Sequence, residues 1–259
     1  MELHFLHYPT TSSSKHTVPI VILHGLFGSS KNWMSISKEL SQEFEVFAID
    51  ARNHGNSPRS STHTLKDMME DLKEFIENHR ISMPVLLGHS MGGLVAMGFS
   101  LVYPELIRSI IVVDIAPKVY PPLHQKEFEV LKTDISQFSS RQEIDAFLAN
   151  IQPNSAIRQF LMMNLEKTNT GYQWKIHVPP LEKAQYLKGI QELLEHRFEK
   201  ECLFIKATDS FYIQYEDYPT IRKVFPKAKI IEIKGNHWVH YTNPDEFLKV
   251  TKDFLSKLS

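Results

Sequence analysis

The segment Gly88-His89-Ser90-Met91-Gly92 joins a short apolar run to a stretch with helical spacing. A serine on a tight turn from strand to helix is held in a strained backbone conformation that small neighbours permit. Glycines on both sides of Ser90 provide that space. The first N–H groups of the following helix point at the same place, where they can stabilise a negatively charged oxygen. The pattern predicts Ser90 as a nucleophile and the Met91 N–H as a donor to an oxyanion.

A second turn that contains glycine lies at 24–28, directly after another apolar run. In the architecture that carries such a serine turn, the loop after an earlier strand donates the second N–H group to the oxyanion. We expect the backbone of Leu26 to supply that donor, with Phe27 as the second choice.

A serine hydroxyl is a weak nucleophile and requires a base. Among the 13 histidines, His237 follows the last predicted strand, where a loop can reach back over the strand ends. Asp114 and Asp209 each follow a predicted strand and compete as the acid that would orient the imidazole. Pattern alone does not separate them. The expected chain order is nucleophile, acid, base, so Asp50, which precedes Ser90, is interpreted as a loop anchor.

The elements that must position these residues alternate along the first half of the chain. Apolar runs bounded by turns predict buried strands, and periods of three and four predict helices packed against them. Strands apolar on both faces are typical of a mostly parallel, doubly wound α/β sheet flanked by helices. The predicted strands are 18–23, 45–49, 84–87, 107–113, 201–207 and 229–233, with an antiparallel edge strand at 2–8. The predicted helices are 31–41, 65–78, 92–102, 215–224 and 244–258.

Strand signals stop after Pro117 and return near residue 201, and the stretch between them shows helical patterns punctuated by proline. We therefore expect a core domain formed by 1–117 and 198–259, with a helical cap, or lid, inserted at 118–197.

The composition excludes several classes of protein. Lys plus Arg number 29 against 30 Asp plus Glu, so no cationic field is available for nucleic acid. The single cysteine, Cys202, cannot form an intramolecular disulfide, and the first residues lack the pattern of a signal peptide. We expect a cytoplasmic protein without stable membrane insertion, acting as a monomer or homodimer. His-x-x-His pairs at 4–7 and 237–240 lack companion ligands, so no metal and no cofactor is expected.

Together these motifs resemble the α/β-hydrolase family over nearly the whole chain, and within it the YbfF-type serine esterases. The likeness to that group rests on three further segments, which are Arg-Asn-His-Gly at 52–55, Val-Val-Asp-Ile-Ala-Pro at 112–117, and Arg-Gln-Phe-Leu at 158–161 followed by Trp174. The resemblance implies Asp114 as the acid and Ser210 as a serine that supports the triad. Asp209 departs from the Asn or Ser usual at its position and stays an alternative acid.

The resemblance also implies hydrolysis of carboxylic esters and acyl-CoA thioesters, a small-molecule substrate and no cofactor. Part of the apolar content of the cap is expected to form an acyl pocket. The residues chosen for that pocket are Phe27, Phe160, Met163, Trp174 and Trp238. Alternative functions on the same residues are acyl transfer, hydrolysis of a C–C bond, or ligand binding without catalysis.

Overall fold

The computed structural model describes residues 1–11, 18–183 and 185–258. The strands are β1 (Phe5–Tyr8), β2 (Ile20–Leu23), β3 (Val46–Ile49), β4 (Val85–His89), β5 (Ser109–Val113), β6 (Leu165–Thr168), β7 (Gly171–Trp174), β8 (Cys202–Ala207) and β9 (Ala228–Ile233). The helices are α1 (Met34–Leu40), α2 (Leu65–Asn78), α3 (Met91–Val102), α4 (Gln125–Lys132), α5 (Arg141–Leu148), α6 (Ser155–Leu161), α7 (Val178–Glu182), α8 (Tyr186–Gly189), α9 (Tyr218–Val224), α10 (Val239–Thr242) and α11 (Pro244–Leu255).

One sheet has the strand order β1-β3-β2-β4-β5-β8-β9. Strand β1 pairs antiparallel with β3, and the other neighbours in the sheet run parallel. The prediction of a mostly parallel sheet with an antiparallel edge strand is confirmed. Because parallel strands end at one edge, the loops after β2, β4, β5, β8 and β9 meet on the same side of the molecule.

Both faces of the sheet are covered, which explains why its central strands are apolar without alternation. In β5, Ile110 and Val112 belong to the apolar layer that contains residues of α2 and α3. Ile111 and Val113 belong to the opposite layer, with residues of α1 and α11. The chain therefore winds helices onto both faces, as the sequence predicted.

Several predicted elements differ from the observed ones at their ends. The predicted helix 31–41 begins as a 3₁₀ turn, Ser30–Trp33, and continues as α1. The predicted helix 215–224 likewise begins as a 3₁₀ turn, Tyr215–Asp217, before α9. Helix ends often tighten in this way because the terminal turn lacks its full set of i to i−4 hydrogen bonds.

The segment 118–197, inserted between β5 and β8, contains α4 to α8 and also a two-stranded hairpin. The interpretation of this segment as helical missed β6 and β7. These strands are short and half-exposed, and Gly171, the first residue of β7, has a φ of 146°, which a residue with a side chain rarely adopts. Buried residues from this segment form an apolar cluster with Phe27 of the core.

Within the described residues, no helix is both long and apolar enough to cross a membrane.

Candidate active site

Ser90 alone connects β4 to α3. Its φ of 52° and ψ of −116° lie in a region that residues with a side chain seldom occupy. The turn requires close approach of backbone, since a Cβ on Gly88 would meet the Gly92 carbonyl oxygen at 2.2 Å. The Ser90 N–H donates to the Val113 carbonyl at 3.1 Å. The strand, turn and helix predicted around Ser90 are thus present, and the serine stands at the carboxyl edge of the sheet.

Asp114 and His237 meet at the same edge although they are far apart in the sequence. His237 Nδ1 donates to Asp114 Oδ2 at 2.8 Å. The carboxylate is fully buried, and the imidazole is 14% exposed. Because an ionised carboxylate only accepts hydrogen bonds, this bond places the proton of the neutral ring on Nδ1. The Nε2 lone pair is then available to accept a proton.

Two further donors hold the Asp114 carboxylate in place. The Ala207 N–H donates to Oδ1 at 3.0 Å, and the Ser210 hydroxyl donates to Oδ2 in a short hydrogen bond. The structure therefore brings Ser210 to the acid. Asp209 is exposed, and its side chain accepts from the neighbouring Thr208 hydroxyl. The structure does not bring the alternative acid to the imidazole.

The Ser90 hydroxyl makes no hydrogen bond to any of the described residues. Bonds between nucleophile and base are often long or poorly aligned without substrate and tighten in the complex. The turn that carries His237 is fixed next to the serine, because the buried His89 ring donates from Nε2 to the His237 carbonyl at 2.8 Å. Burial and the neighbouring His237 and His240 hold the pKa of His89 well below its usual range, so this donor stays neutral.

Leu26 and Met91 line the same cavity as Ser90. Met91 is the first residue of α3, where N–H groups lack partners within the helix. Leu26 lies in a turn closed by the bond from the Gly28 N–H to the Gly25 carbonyl at 2.9 Å, and its N–H has no partner among the described residues. The Phe27 N–H donates instead to His54 Nε2 at 3.3 Å, so the second choice of oxyanion donor is already engaged.

A pocket that is partly open to solvent lies beside Ser90. Its floor comes from the core, and most of its wall comes from segment 118–197. The lining is predominantly apolar, which suits an acyl chain. The lining residues are Leu26, Ser90, Met91, Leu94, Ile115, Tyr120, Pro121, Pro122, Leu123, His124, Phe128, Leu181, Tyr186, Leu187 and Tyr212.

None of the five residues predicted for the pocket lines this cavity. The ring of Phe27 packs edge-on against Phe128 at 5.0 Å, inside the apolar cluster of the inserted segment. Phe160 and Trp238 pack against each other at 5.8 Å. These three side chains are used in packing between elements, which apolar content alone does not distinguish from a pocket wall.

The other two predicted pocket residues also lie outside the serine cavity. Met163 is 46% exposed and receives a hydrogen bond at Sδ from Asn32. Trp174 ends the hairpin strand β7, and its indole N–H donates to the Thr133 carbonyl at 3.0 Å. The hairpin that sequence reasoning missed thus holds Trp174 outside the serine cavity.

Sequence reasoning also missed Tyr212. Its ring stacks on His237 with centroids 3.9 Å apart, and its carbonyl accepts from the Tyr120 hydroxyl at 2.6 Å. Burial and the charge of Asp114 raise the pKa of Tyr212 to about 12, so the phenol stays neutral beside the imidazole. The signal was its position two residues after Ser210, on the loop that reaches the acid.

Among the described residues, no group of three or more His, Cys, Asp or Glu side chains is placed to hold a metal ion.

Comparison with known proteins agrees with this geometry. A family model described as alpha/beta hydrolase fold matches residues 18–244. The chain is 36% identical to the sn-1-specific diacylglycerol lipase ABHD11 of Danio rerio over 262 residues, covering 96% of this chain and 82% of the relative. It is 28% identical to esterase YbfF of Escherichia coli, with 95% and 96% covered.

Among solved structures, a marine microorganism esterase superposes with a TM-score of 0.89 at 36% identity, covering 98% of this chain and 99% of the other. The serine turn, the buried acid and the imidazole occur here on the architecture of these relatives. These relatives are esterases and a lipase, and the chain therefore belongs to the α/β-hydrolase family.

Proposed function

We propose that this protein is a serine hydrolase that cleaves carboxylic esters through an acyl-enzyme on Ser90. The observation that carries the proposal is the 2.8 Å bond between Asp114 and His237 beside a serine held at positive φ. These are the parts that a serine needs to become nucleophilic at neutral pH.

In the proposed reaction, Ser90 Oγ attacks the ester carbonyl while His237 Nε2 takes the hydroxyl proton. The negative charge moves to the carbonyl oxygen, where the Leu26 and Met91 N–H groups stabilise it. Asp114 stabilises the imidazolium and keeps its orientation. His237 then donates the proton to the leaving alcohol, and the acyl group stays on the serine. Water, deprotonated by His237, attacks the acyl-enzyme and releases the acid and free Ser90.

The apolar wall of the cavity favours an acyl chain as the group transferred to Ser90. We assign the role of a cap to segment 118–197, because its residues from Tyr120 to Phe128 and in α7 and α8 supply most of that wall. A thioester has the same acyl carbonyl and a better leaving group, so acyl-CoA thioesters are included as candidate substrates. An ester or thioester small molecule is the expected partner.

Hydrolysis of p-nitrophenyl esters from acetyl to palmitoyl tests the proposal, with a Ser90→Ala variant measured beside the wild type. Loss of a serine nucleophile is expected to lower kcat by about 10⁶-fold, while the thermal unfolding midpoint stays near that of the wild type. The chain-length optimum reports the depth of the cavity. Acyl-CoA substrates with a thiol reagent extend the same series to thioesters.

Product analysis with an added alcohol separates hydrolysis from acyl transfer. Free acid as the sole product supports the hydrolase, whereas a new ester would indicate a transferase. Turnover that Ser90→Ala retains would contradict the mechanism. Tight product retention after a single turnover would indicate a binding protein.

A further inference from the structure

Two loops at the carboxyl edge of the sheet exchange hydrogen bonds through two buried histidines. His24, in the loop after β2, accepts at Nε2 from the Ala51 N–H at 3.0 Å. His54, in the loop after β3, accepts at Nε2 from the Phe27 N–H at 3.3 Å. Each ring thus accepts from the backbone of the other loop. The ring centroids lie 5.0 Å apart. We call His24 and His54 the bridging histidines.

The partners of the two rings fix their protonation. His24 Nδ1 lies 2.8 Å from the Gly25 carbonyl, and His54 Nδ1 lies 3.0 Å from the Arg52 carbonyl. A carbonyl only accepts and a backbone N–H only donates. Each ring must therefore be neutral, with its proton on Nδ1. A second proton on His54 Nε2 would face the Phe27 N–H and break the bond.

The groups around the bridging histidines favour this neutral state of His54. The ring is fully buried, and burial together with His24 and His63 lowers its pKa well below the usual range. The Arg52 side chain, paired with Asp71, also lies next to this group of rings and disfavours positive charge on His63. Asp50 acts in the opposite direction on His24, where burial still dominates and the pKa is lowered.

Of the two bridging histidines, His54 binds the turn that carries Leu26. Phe27 has a φ of 65°, a conformation that a residue with a bulky side chain holds only when its surroundings fix it. Its N–H is bound by His54, and its carbonyl accepts from Asn164 Nδ2 at 2.8 Å. With both polar groups of Phe27 engaged, the backbone beside Leu26, which lines the cavity with Ser90, is held in place.

We propose that His54 is a positioning residue, whose ring holds the 25–28 turn so that the Leu26 N–H lies where the oxyanion forms. The inference rests on the proposed serine hydrolase function. His54 touches neither the substrate nor the reacting atoms, and it acts through the backbone of Phe27. Its contribution belongs to the transition state, because the ground-state ester carries no full negative charge on its carbonyl oxygen.

The test compares His54→Phe and His54→Gln with the wild type in steady-state ester hydrolysis between pH 5 and 9. Removing one donor to an oxyanion costs about 10²- to 10³-fold in kcat, and we expect this loss for His54→Phe with KM changed by less than about 3-fold. His54→Gln should keep more activity than His54→Phe, because its amide oxygen can still accept from the Phe27 N–H. The midpoint of the acid limb of kcat/KM should not move, because His54 takes no proton in the proposed reaction.

The control for lost stability is Phe254→Leu, a buried side chain in α11 on the far face of the sheet. It should lower the unfolding midpoint and leave kcat within about 2-fold. If His54→Phe does not fold, His54→Gln carries the same comparison. The burst of p-nitrophenol counts the Ser90 groups that acylate, and its amplitude should be equal in wild type and both His54 variants.

Wild-type kcat in His54→Phe, or a rise in KM with kcat unchanged, would overturn the positioning role. A shifted acid limb would also overturn it, because His54 would then titrate within the reaction. Ester hydrolysis that Ser90→Ala retains would instead overturn the proposed function and, with it, the role given to His54.

Discussion

The edge of the sheet and the inserted segment build the same cavity in different ways. At the edge, Ser90 and Asp114 are single residues directly after strands, held at φ values of 52° and 51° by hydrogen bonds to neighbouring strands. In segment 118–197, the wall comes from the proline-containing loop 120–124 and from α4, α7 and α8, which are helices of four to eight residues. Strand register thus fixes the reacting groups, whereas side-chain packing fixes the wall. Changes at the edge should alter rate, and changes in the wall should alter substrate preference.

Asp114→Asn should give the largest effect at the edge. The amide cannot accept in the same way from the His237 ring and favours the wrong tautomer, and a comparable change in another serine hydrolase lowers kcat by about 10⁴-fold. Asp209→Asn is the matched control, because Asp209 is exposed and bonded to Thr208. Steady-state ester hydrolysis measures both. A larger loss in Asp209→Asn than in Asp114→Asn would mean that the acid has been assigned to the wrong carboxylate.

Ser210→Ala should give a smaller loss at the same edge. It removes one donor to the Asp114 carboxylate while the Ala207 N–H and His237 bonds remain. A hydrogen bond to a charged group contributes about 1.5–3 kcal/mol, so kcat/KM should fall by about 10- to 100-fold. Thr208→Ala, which removes an exposed hydroxyl on the same loop, should change it by less than about 2-fold. An unchanged rate in Ser210→Ala would show that the hydroxyl does not support the acid.

Phe128→Ala tests the wall of the cavity. Phe128 lines the cavity and is 6% exposed, so its truncation should create space and favour longer acyl chains. We expect the ratio of long-chain to short-chain kcat/KM to rise by about 10-fold, because one methylene group in an apolar pocket changes kcat/KM by at least about this factor. The matched control is Trp174→Phe, outside the cavity. If the control moved the ratio as much, the assignment of the wall would be wrong.

Acidification should lower the free energy of unfolding, mainly through the buried histidines of the core domain. The buried histidines of the described chain are all in the core, and burial lowers their pKa values, which are about 3 for His63 and His240. Below about pH 6.5 the unfolded chain binds more protons than the folded one, so the free energy of unfolding falls as pH decreases. Each such group contributes at most about 1.4 kcal/mol per pH unit between about 6.5 and its folded pKa.

Urea unfolding measured between pH 8 and 4 tests this pH dependence. His240→Phe should make the free energy of unfolding fall less steeply with acidification, because it removes one of these groups. A slope equal to that of the wild type would contradict the assignment of a buried neutral ring to His240.

The sequence allowed the sheet and the serine turn to be predicted because apolar runs on both faces and glycines around Ser90 are local signals. No local signal in the sequence distinguished the acid. Pattern left Asp114 and Asp209 equal, and the resemblance to a family favoured Asp114, which the structure shows to be buried against His237. The two aspartates differ in how far they are buried in the folded chain, and burial cannot be inferred from the residue type.

The wall of the cavity was predicted least well. Trp174 was selected for its apolar ring, but the strand pairing of Leu165 with Trp174 carries it into a hairpin. The bond from Phe27 to His54 joins residues 27 positions apart, and neither residue type nor spacing signals it. Such contacts depend on which loops meet at the sheet edge, so they become visible only when the strand order is known.

Mass spectrometry of the acylated protein tests the central claim most directly. The wild type is mixed with a slowly hydrolysed p-nitrophenyl ester, quenched in acid during the burst and digested. The account predicts an added acyl mass on the peptide that contains Ser90, and none in Ser90→Ala. Turnover without an adduct, or an adduct on another side chain, would contradict an acyl-enzyme at Ser90.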